Sequence, residues 1–193
     1  MGVAVRETGS VLTAPVRVCF VCSGNICRSP TAEVVLNRLA AERNLTDLVR
    51  AQSAGTGSWH AGDDMDERSR QTLEHAGYDV PRHIARQFGP TDFDAYDVVV
   101  ALDGSHHGVL WWQAAEARDA DAARAKIVML RAFDPLLDAS EEPDVADPYY
   151  GGRGGFTEVL EQVERSCAQL LVAIEQAVET GTELAQQAES PPR

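Results

Sequence analysis

Four short apolar runs, separated by stretches with helical periodicity, constrain the fold of this 193-residue chain more than any other feature. The runs are rich in β-branched residues and continuously apolar, which is typical of strands that are buried on both faces. Buried strands that alternate with helices predict an α/β fold: a single, doubly wound, four-stranded parallel sheet with helices on both faces. The predicted strands are VRVCFVC (16–22), VRAQSAG (49–55), DVVVAL (97–102) and KIVMLR (126–131).

Two of the remaining stretches carry a clear helical repeat. An apolar stripe with the spacing i, i+3, i+4, i+7 follows the first strand, and a long stripe runs from Phe156 to Val178. Ser29 and Pro30 precede the first stripe, so we expect them to be the N-cap and the first helical residue. The first stripe consists of Ala32, Val35, Leu36 and Leu39.

The length of the chain bounds the number of domains. A chain of 193 residues fits one domain with a sizeable core. We expect this domain to span residues 15–180. Residues 1–14 and 181–193 are mostly polar or small, and the second segment ends in SPPR, so we expect flexible tails at both ends.

The net charge of −13 argues against several classes of steady partner. Nucleic acids and anionic membrane surfaces both require a basic face, so we expect neither as a partner. No apolar run approaches the length of a membrane span. Three of the four cysteines lie within nine residues, which is not typical of a disulfide framework, and no secretory signal precedes them. We therefore expect a cytoplasmic protein, with export by a signal-independent route as the alternative.

The stretch CSGNICRSP (22–30) lies between the first predicted strand and the first predicted helix, where parallel sheets bind ligands. Five residues separate Cys22 from Arg28, and their backbone N–H groups can form an anion-binding nest. Arg28 can grip two oxygens of a tetrahedral oxyanion, and the same groups would stabilise a Cys22 thiolate. This placement favours a nucleophile beside a phosphoryl cradle over a buried, inert cysteine.

The segment VCSGNICRSPTAE resembles the phosphate-binding loop of the low-molecular-weight protein tyrosine phosphatases. The resemblance covers residues 16–175, and SAGTGSWH with RAFDP is most similar to the actinobacterial branch. It implies the flavodoxin-like fold of phosphotyrosine phosphatase I type. The other matching segments are SAGTGSW (53–59), HIARQ (83–87), ALD (101–103) and DPYYG (147–151).

The resemblance implies hydrolysis of phosphotyrosine in proteins through a phosphocysteine intermediate, without metal or cofactor. Cys22 would be the nucleophile and Arg28 the phosphate clamp. Asp147 would be the general acid that protonates the leaving phenol and later activates water. Phosphotyrosine-containing proteins are the expected partners, phosphate and vanadate the expected inhibitors, and we expect a monomer.

The resemblance also implies supporting residues around the loop. Ser29 would support the thiolate in addition to capping the helix. The predicted phosphate-binding and loop-supporting residues are Ser23, Gly24, Asn25, Ile26, Cys27, Ser29, Ser53 and His83. The predicted walls for the substrate ring are Trp59, Tyr149 and Tyr150.

A second role is expected for Cys27. Peroxide converts a low-pKa thiolate to a sulfenic acid, and a thiol five residues away on the same loop can condense with it. The family resemblance supports this redox partnership between Cys22 and Cys27. Packing within the loop is the alternative role for Cys27.

Weaker signals leave other possibilities. Cys19 and Cys22 have C-x-x-C spacing, but an odd separation within a strand points them to opposite faces, so we expect Cys19 to lie in the core. The histidines other than His83 are expected at the surface. Asp103 could line the cleft or serve as a structural acceptor.

Three alternative functions share some of these features. Thiol-dependent arsenate reduction needs further cysteines, and Cys167 lies on an apolar helical stripe. A phosphoarginine phosphatase is less compatible with Ile26 and the aromatic walls. A phosphotyrosine-binding module would require neither Cys22 nor Asp147.

Overall fold

The computed structural model describes residues 14–149, 152–182 and 184. Four parallel strands form one sheet in the order β2-β1-β3-β4, which confirms the predicted α/β fold. The predicted tails, residues 1–14 and 181–193, fall almost entirely outside the described ranges and stay predictions. The strands are β1 Val16–Cys22, β2 Val49–Gly55, β3 Val98–Ala101 and β4 Ile127–Met129.

Helices connect the strands, and the longest helix follows the last of them. The two helices predicted from apolar stripes are α1 and α6, but α1 begins at Arg28, two residues before the expected start. Short 3₁₀ turns follow α4 and β4, at Ala114–Glu116 and Leu130–Phe133. The helices are α1 Arg28–Glu42, α2 Glu67–His75, α3 Asp92–Ala95, α4 Gly104–Gln113, α5 Ala120–Arg124 and α6 Arg153–Thr180.

The central strand β1 sends alternate side chains into two cores. Val18, Phe20 and Cys22 pack on the face covered by α1, α2 and α6. Cys19 and Val21 pack on the opposite face, with residues of α3, α4 and α5. Cys19 is fully buried there, so the expected placement of the two cysteines on opposite faces is correct. The sheet is therefore covered on both sides, as its continuous apolar runs predict.

The carboxyl ends of β1 and β3 lie side by side in the sheet. Val21 is in register with Ala101, so Cys22 and the segment after Ala101 come to the same edge. On the other side of β1, Cys22 is in register with Gly55 at the end of β2. This edge therefore gathers three connections, namely those after β1, β2 and β3.

Within the described ranges, none of the helices combines the length and apolarity that crossing a membrane requires.

Candidate active site

The loop between β1 and α1 is shaped by one buried asparagine. Asn25 has a left-handed backbone with φ of 58°, a conformation that asparagine tolerates better than most residues. Its Nδ2 donates to Ser29 Oγ and to Ser53 Oγ, both at 2.9 Å. Its Oδ1 accepts from the backbone N–H of Arg86 at 3.0 Å. Asn25 thus ties the loop to α1, to β2 and to the segment that precedes α3.

Two further contacts hold the outside of this loop. His83 Nε2 lies 2.7 Å from the backbone oxygen of Asn25. Gly55 approaches so closely that a Cβ there would lie 2.7 Å from the backbone oxygen of Ser23, so only glycine fits without a shift. Four of the predicted loop-supporting residues therefore lie together around the loop, namely Asn25, Ser29, Ser53 and His83.

The hydroxyl of Ser29 lies close to the thiol of the nucleophile candidate, Cys22. Cys22 Sγ lies 3.0 Å from Ser29 Oγ, and that hydroxyl also lies within donating distance, 3.1 Å, of the backbone oxygen of Ala54. A hydroxyl carries one proton. Ser29 can therefore donate its proton either to the backbone oxygen of Ala54 or to the sulfur of Cys22.

The expectation that Ser29 caps α1 is wrong. Cys27 is the N-cap residue of α1, no side chain caps the helix, and Ser29 lies inside the first turn. The hydroxyl of Ser29 is occupied by Cys22, Asn25 and Ala54, which are tertiary partners. The side chain that resembled a cap thus contacts the thiol instead.

Arg28 is a buried cation held by two carboxylates. Nη1 donates to Asp103 Oδ2 at 2.7 Å and to the backbone oxygen of Val145 at 3.2 Å. Nη2 donates to Asp147 Oδ2 at 2.9 Å and lies 3.5 Å from Ser23 Oγ. The guanidinium side chain is only 5% exposed, so its charge is compensated mainly by these neighbours.

Asp147 reaches this site from a loop that is distant in sequence. Its Oδ1 accepts from the backbone N–H of Tyr149 at 3.0 Å, which orients the carboxylate. The loop is tied to α2 because Arg68 Nη1 donates to the backbone oxygen of Tyr149 at 3.2 Å. The Arg68 guanidinium also lies over the ring of Phe156, 4.6 Å from its centroid. These contacts attach the acid-bearing loop to α2 and to the start of α6.

A cavity of about 360 Å³ brings most of the predicted residues together. Cys22, Arg28 and Asp147 all line it, and Trp59 forms part of its wall although its side chain is largely exposed. Tyr150 lies outside the described residues. The other predicted residues that line the cavity are Ser23, Gly24, Ile26, Cys27 and Tyr149.

His106 is a site residue that the sequence interpretation placed wrongly at the surface. It is 2% exposed, its Nε2 lies 2.8 Å from Ser23 Oγ, and it lines the cavity. Its Nδ1 lies 2.9 Å from Asp103 Oδ1, without the alignment of a hydrogen bond. The missed signal was helical spacing, since His106 and the fully buried Leu110 are four residues apart on α4.

The sequence left open whether Asp103 lines the cleft or serves as a structural acceptor of hydrogen bonds. The structure shows that it is a structural acceptor. It is the N-cap residue of α4, accepting from the backbone N–H of His106 at 2.9 Å, and it holds Arg28. Burial opposes ionisation of this carboxyl. The close contact of the His106 ring, the hydrogen bond from the Ser105 hydroxyl and the hydrogen bond from the backbone N–H of His106 outweigh burial and hold the pKa of Asp103 well below its usual range. Asp103 is therefore ionised throughout the physiological pH range.

Cys27 lies in a different electrostatic environment from a reactive thiol. Burial, followed by the nearby Asp66 carboxylate, raises the pKa of the Cys27 thiol to about 12. Cys27 is therefore protonated at neutral pH, and its attack on an oxidised sulfur would require loss of that proton.

A metal site would require several ligating side chains close together. No group of three His, Cys, Asp or Glu side chains in the described part of the chain is arranged to hold a metal ion. The C-x-x-C pair cannot chelate one either, because Cys19 and Cys22 lie on opposite faces of the sheet.

The comparison with known proteins agrees with this geometry. Residues 17–180 match the family described as low molecular weight phosphotyrosine protein phosphatase. The chain belongs to this family. The low molecular weight protein-tyrosine-phosphatase of Streptomyces coelicolor is 48% identical over 163 residues, which is 84% of this chain and 96% of that relative. The resemblance drawn from the loop sequence is thus confirmed.

Solved structures of the family have the same fold. The crystal structure of a protein tyrosine phosphatase from Entamoeba histolytica aligns with a TM-score of 0.76 and 33% identity, covering 84% of this chain and 98% of that one. The structure of an arginine phosphatase from Drosophila aligns with a TM-score of 0.71 and 34% identity, covering 80% and 95%. The fold alone therefore does not distinguish these two substrates.

Proposed function

We propose that this protein hydrolyses phosphotyrosine in proteins by way of a phosphocysteine intermediate. The observation that carries the proposal is the convergence of Cys22, Arg28 and Asp147 on one cavity. A thiol, a buried guanidinium and a partly exposed carboxyl supply a nucleophile, an oxyanion clamp and a proton donor. Membership of the phosphotyrosine phosphatase family supports the same reaction.

In the first step, the Cys22 thiolate attacks the phosphorus atom and the bond from phosphorus to the phenolic oxygen breaks. The Asp147 carboxyl gives its proton to the departing phenolate, because an unprotonated phenolate is a poor leaving group. Arg28 and the loop N–H groups stabilise the charge on the three equatorial oxygens. The Ser29 hydroxyl, 3.0 Å from the sulfur, stabilises the thiolate before attack.

In the second step, water attacks the phosphorus atom of the phosphocysteine. The Asp147 carboxylate accepts a proton from this water, and the bond from phosphorus to sulfur breaks. Inorganic phosphate leaves and the Cys22 thiolate is restored, so no oxidant, reductant or metal enters the balance. Phosphate and vanadate, which offer oxygens to the same donors, are the expected inhibitors.

The alternative substrates differ in what they require of the cleft. Ile26 and Trp59 line the cavity and favour a flat aryl ring over a guanidinium. Arsenate reduction would need a thiol relay, but Cys167 is fully buried on α6, with its sulfur 3.9 Å from the backbone oxygen of Ala32. A binding module would use neither the thiol nor the partly exposed carboxyl.

One set of assays tests the proposal. The wild type is incubated with a chelator and with p-nitrophenyl phosphate, a phosphotyrosyl peptide or a phosphoarginyl peptide. We expect release of phosphate from the first two and a kcat/KM for the phosphoarginyl peptide at least about tenfold lower, a difference of about 1.4 kcal/mol. Cys22→Ser should fall below about a thousandth of wild-type activity while keeping its fold. Higher residual activity would remove Cys22 as the nucleophile.

We also propose a cytoplasmic location and action as a monomer. A thiolate nucleophile stays active only where thiols are kept reduced, which is typical of the cytoplasm. The four cysteines, Cys19, Cys22, Cys27 and Cys167, are all free thiols. Size-exclusion chromatography with light scattering checks the monomer, and fractionation of the source cells checks the location.

A further inference from the structure

Helix α4 exposes large apolar side chains beside the cavity. Trp112 is 79% exposed and Val109 is 40% exposed. Contiguous exposed apolar side chains beside a binding cleft mark interaction sites. This helix carries the only adjacent pair of tryptophans in the sequence, Trp111 and Trp112.

Three residues of α4 form a track that starts inside the cavity. Ser105, Val109 and Trp112 follow the spacing i, i+4, i+7, which places them on one face of the helix. Ser105 and Val109 line the cavity that also holds Cys22 and Asp147. Trp112 is the next residue on this face, about 10 Å along the helix axis from Ser105 at 1.5 Å per residue.

The neighbouring tryptophan is engaged within the protein. The ring of Trp111 stacks on His107 with centroids 6.1 Å apart, and the guanidinium of Arg124 lies 4.9 Å from its centroid. Trp111 is 46% exposed, and its ring contacts His107 of its own helix and Arg124 of α5. The two adjacent residues have the same side chain in different settings, so Trp111 is a matched control for Trp112.

We propose that Val109 and Trp112 form a subsite for an apolar side chain of the protein substrate. This inference rests on the proposed function, because the phosphotyrosine must occupy the cavity. The axial distance of about 10 Å from Ser105, which lines the cavity, to Trp112 equals about three residues of an extended peptide at about 3.3 Å per residue, so we expect the apolar residue two to four positions from the phosphotyrosine. Tryptophan is the residue type that most often dominates such contacts.

The occupant is a substrate rather than a second copy of this chain. The track is continuous with the cavity, so a substrate held by its phosphoryl group lies along it without further adjustment. Two copies, by contrast, would each bring a net charge of −13 and would repel one another.

The test uses a set of phosphotyrosyl peptides with a polar background and one leucine. The leucine occupies each position from four residues before to four residues after the phosphotyrosine, and an all-polar peptide is the reference. We expect the wild type to prefer leucine at one or more positions two to four residues away, with kcat/KM raised about five- to tenfold. Trp112→Ala should lose this preference while its kcat/KM for p-nitrophenyl phosphate stays within about twofold. Trp111→Ala should keep the preference.

Several results would overturn the subsite. One is an unchanged leucine preference in Trp112→Ala. Another is a kcat/KM of Trp112→Ala that falls equally for p-nitrophenyl phosphate and for the leucine peptide. A third is a Trp112→Ala variant that loses self-association in sedimentation without any change in peptide preference. A wild type that hydrolyses neither p-nitrophenyl phosphate nor any peptide would instead refute the proposed function, and the subsite with it. Circular dichroism and thermal unfolding of both tryptophan variants verify that they are folded.

Discussion

Two substitutions of Asp103 should distinguish its effect on the position of Arg28 from its effect on the stability of the fold. Asp103 Oδ2 accepts from Arg28 Nη1 at 2.7 Å, while Oδ1 accepts from Ser105 Oγ at 2.6 Å and from the backbone N–H of His106. In Asp103→Asn the amide oxygen can still cap α4. The amide nitrogen then faces Arg28, a donor against a donor, and the buried guanidinium loses its shortest hydrogen bond.

The magnitude follows from these contacts. A hydrogen bond to a charged group contributes about 1.5–3 kcal/mol, so misplacement of Arg28 should lower kcat/KM for p-nitrophenyl phosphate about 10- to 100-fold. Asp103→Ala should lose a similar factor in kcat/KM. Because alanine also removes the cap, its free energy of unfolding should be about 1 kcal/mol lower than that of Asp103→Asn.

Kinetics and urea unfolding, measured on both variants between pH 3 and pH 8, check this reasoning. The pKa of folded Asp103 is lowered, so its ionised form stabilises the fold above its unfolded pKa of about 3.9 and loses that effect as the pH falls through the folded pKa. The stability difference between the wild type and Asp103→Asn should therefore be constant from about pH 5 to pH 8 and shrink in more acidic solution. An Asp103→Asn variant with undiminished kcat/KM and tighter phosphate inhibition would refute the positioning role, because Asp103 would then only weaken the field of Arg28.

Three further predictions concern the catalytic groups. Asp147→Asn should lower kcat about 10²- to 10⁴-fold on phenyl phosphate and less on p-nitrophenyl phosphate, whose leaving group depends less on protonation; equal losses would assign the acid role to another group. Arg28→Lys should lose most activity although the charge is kept, because an ammonium cannot form the planar fork; near-normal kinetics would contradict a bidentate grip. Peroxide should inactivate the wild type reversibly, with a Cys22–Cys27 disulfide visible by peptide mass analysis, and the disulfide should form faster as the pH rises toward the raised pKa of Cys27; full recovery of Cys27→Ser with dithiothreitol would leave Cys27 as a packing residue.

The strands were predictable from sequence because their apolarity is continuous. The predicted runs 16–22 and 49–55 match β1 and β2 residue for residue. The run 126–131 was predicted too long, since β4 ends at Met129 and a 3₁₀ turn follows. Among the described strands, β4 lies at the edge of the sheet and pairs with β3, which ends at Ala101, the partner of Met129. The length of β4 is thus limited by its neighbour, which a local pattern does not reveal.

Helix α2 was not predicted because it has almost no apolar face. Its sequence ERSRQTLEH buries only Ser69 and Leu73. The N-terminus of the helix is capped instead, since the Asp66 side chain accepts from the backbone N–H of Arg68 at 2.9 Å. Prediction from apolar periodicity requires a buried apolar stripe, so it misses such a helix.

The site was predicted best where its residues are adjacent in sequence. The loop spacing brought Cys22 and Arg28 together, whereas the contact of Arg28 with Asp103 spans 75 residues and depends on the register of β1 with β3. The burial of His106 depends in the same way on how α4 packs against the loop. Ser29 illustrates the opposite error, because its local pattern of a cap was overridden by partners that only the tertiary fold supplies.

The two carboxylates on Arg28 differ in how firmly they are held, and this difference supports distinct tasks. The Asp103 side chain is 16% exposed and is fixed at the start of α4, whereas the Asp147 side chain is 45% exposed. A phosphoryl group that enters the cavity competes for the Nη2 group that Asp147 now occupies. Asp103 can keep Nη1 in place during that exchange, while the Asp147 side chain is released from Nη2. We therefore propose that the displacement that lets the substrate bind also frees the Asp147 side chain for its proposed role as the acid.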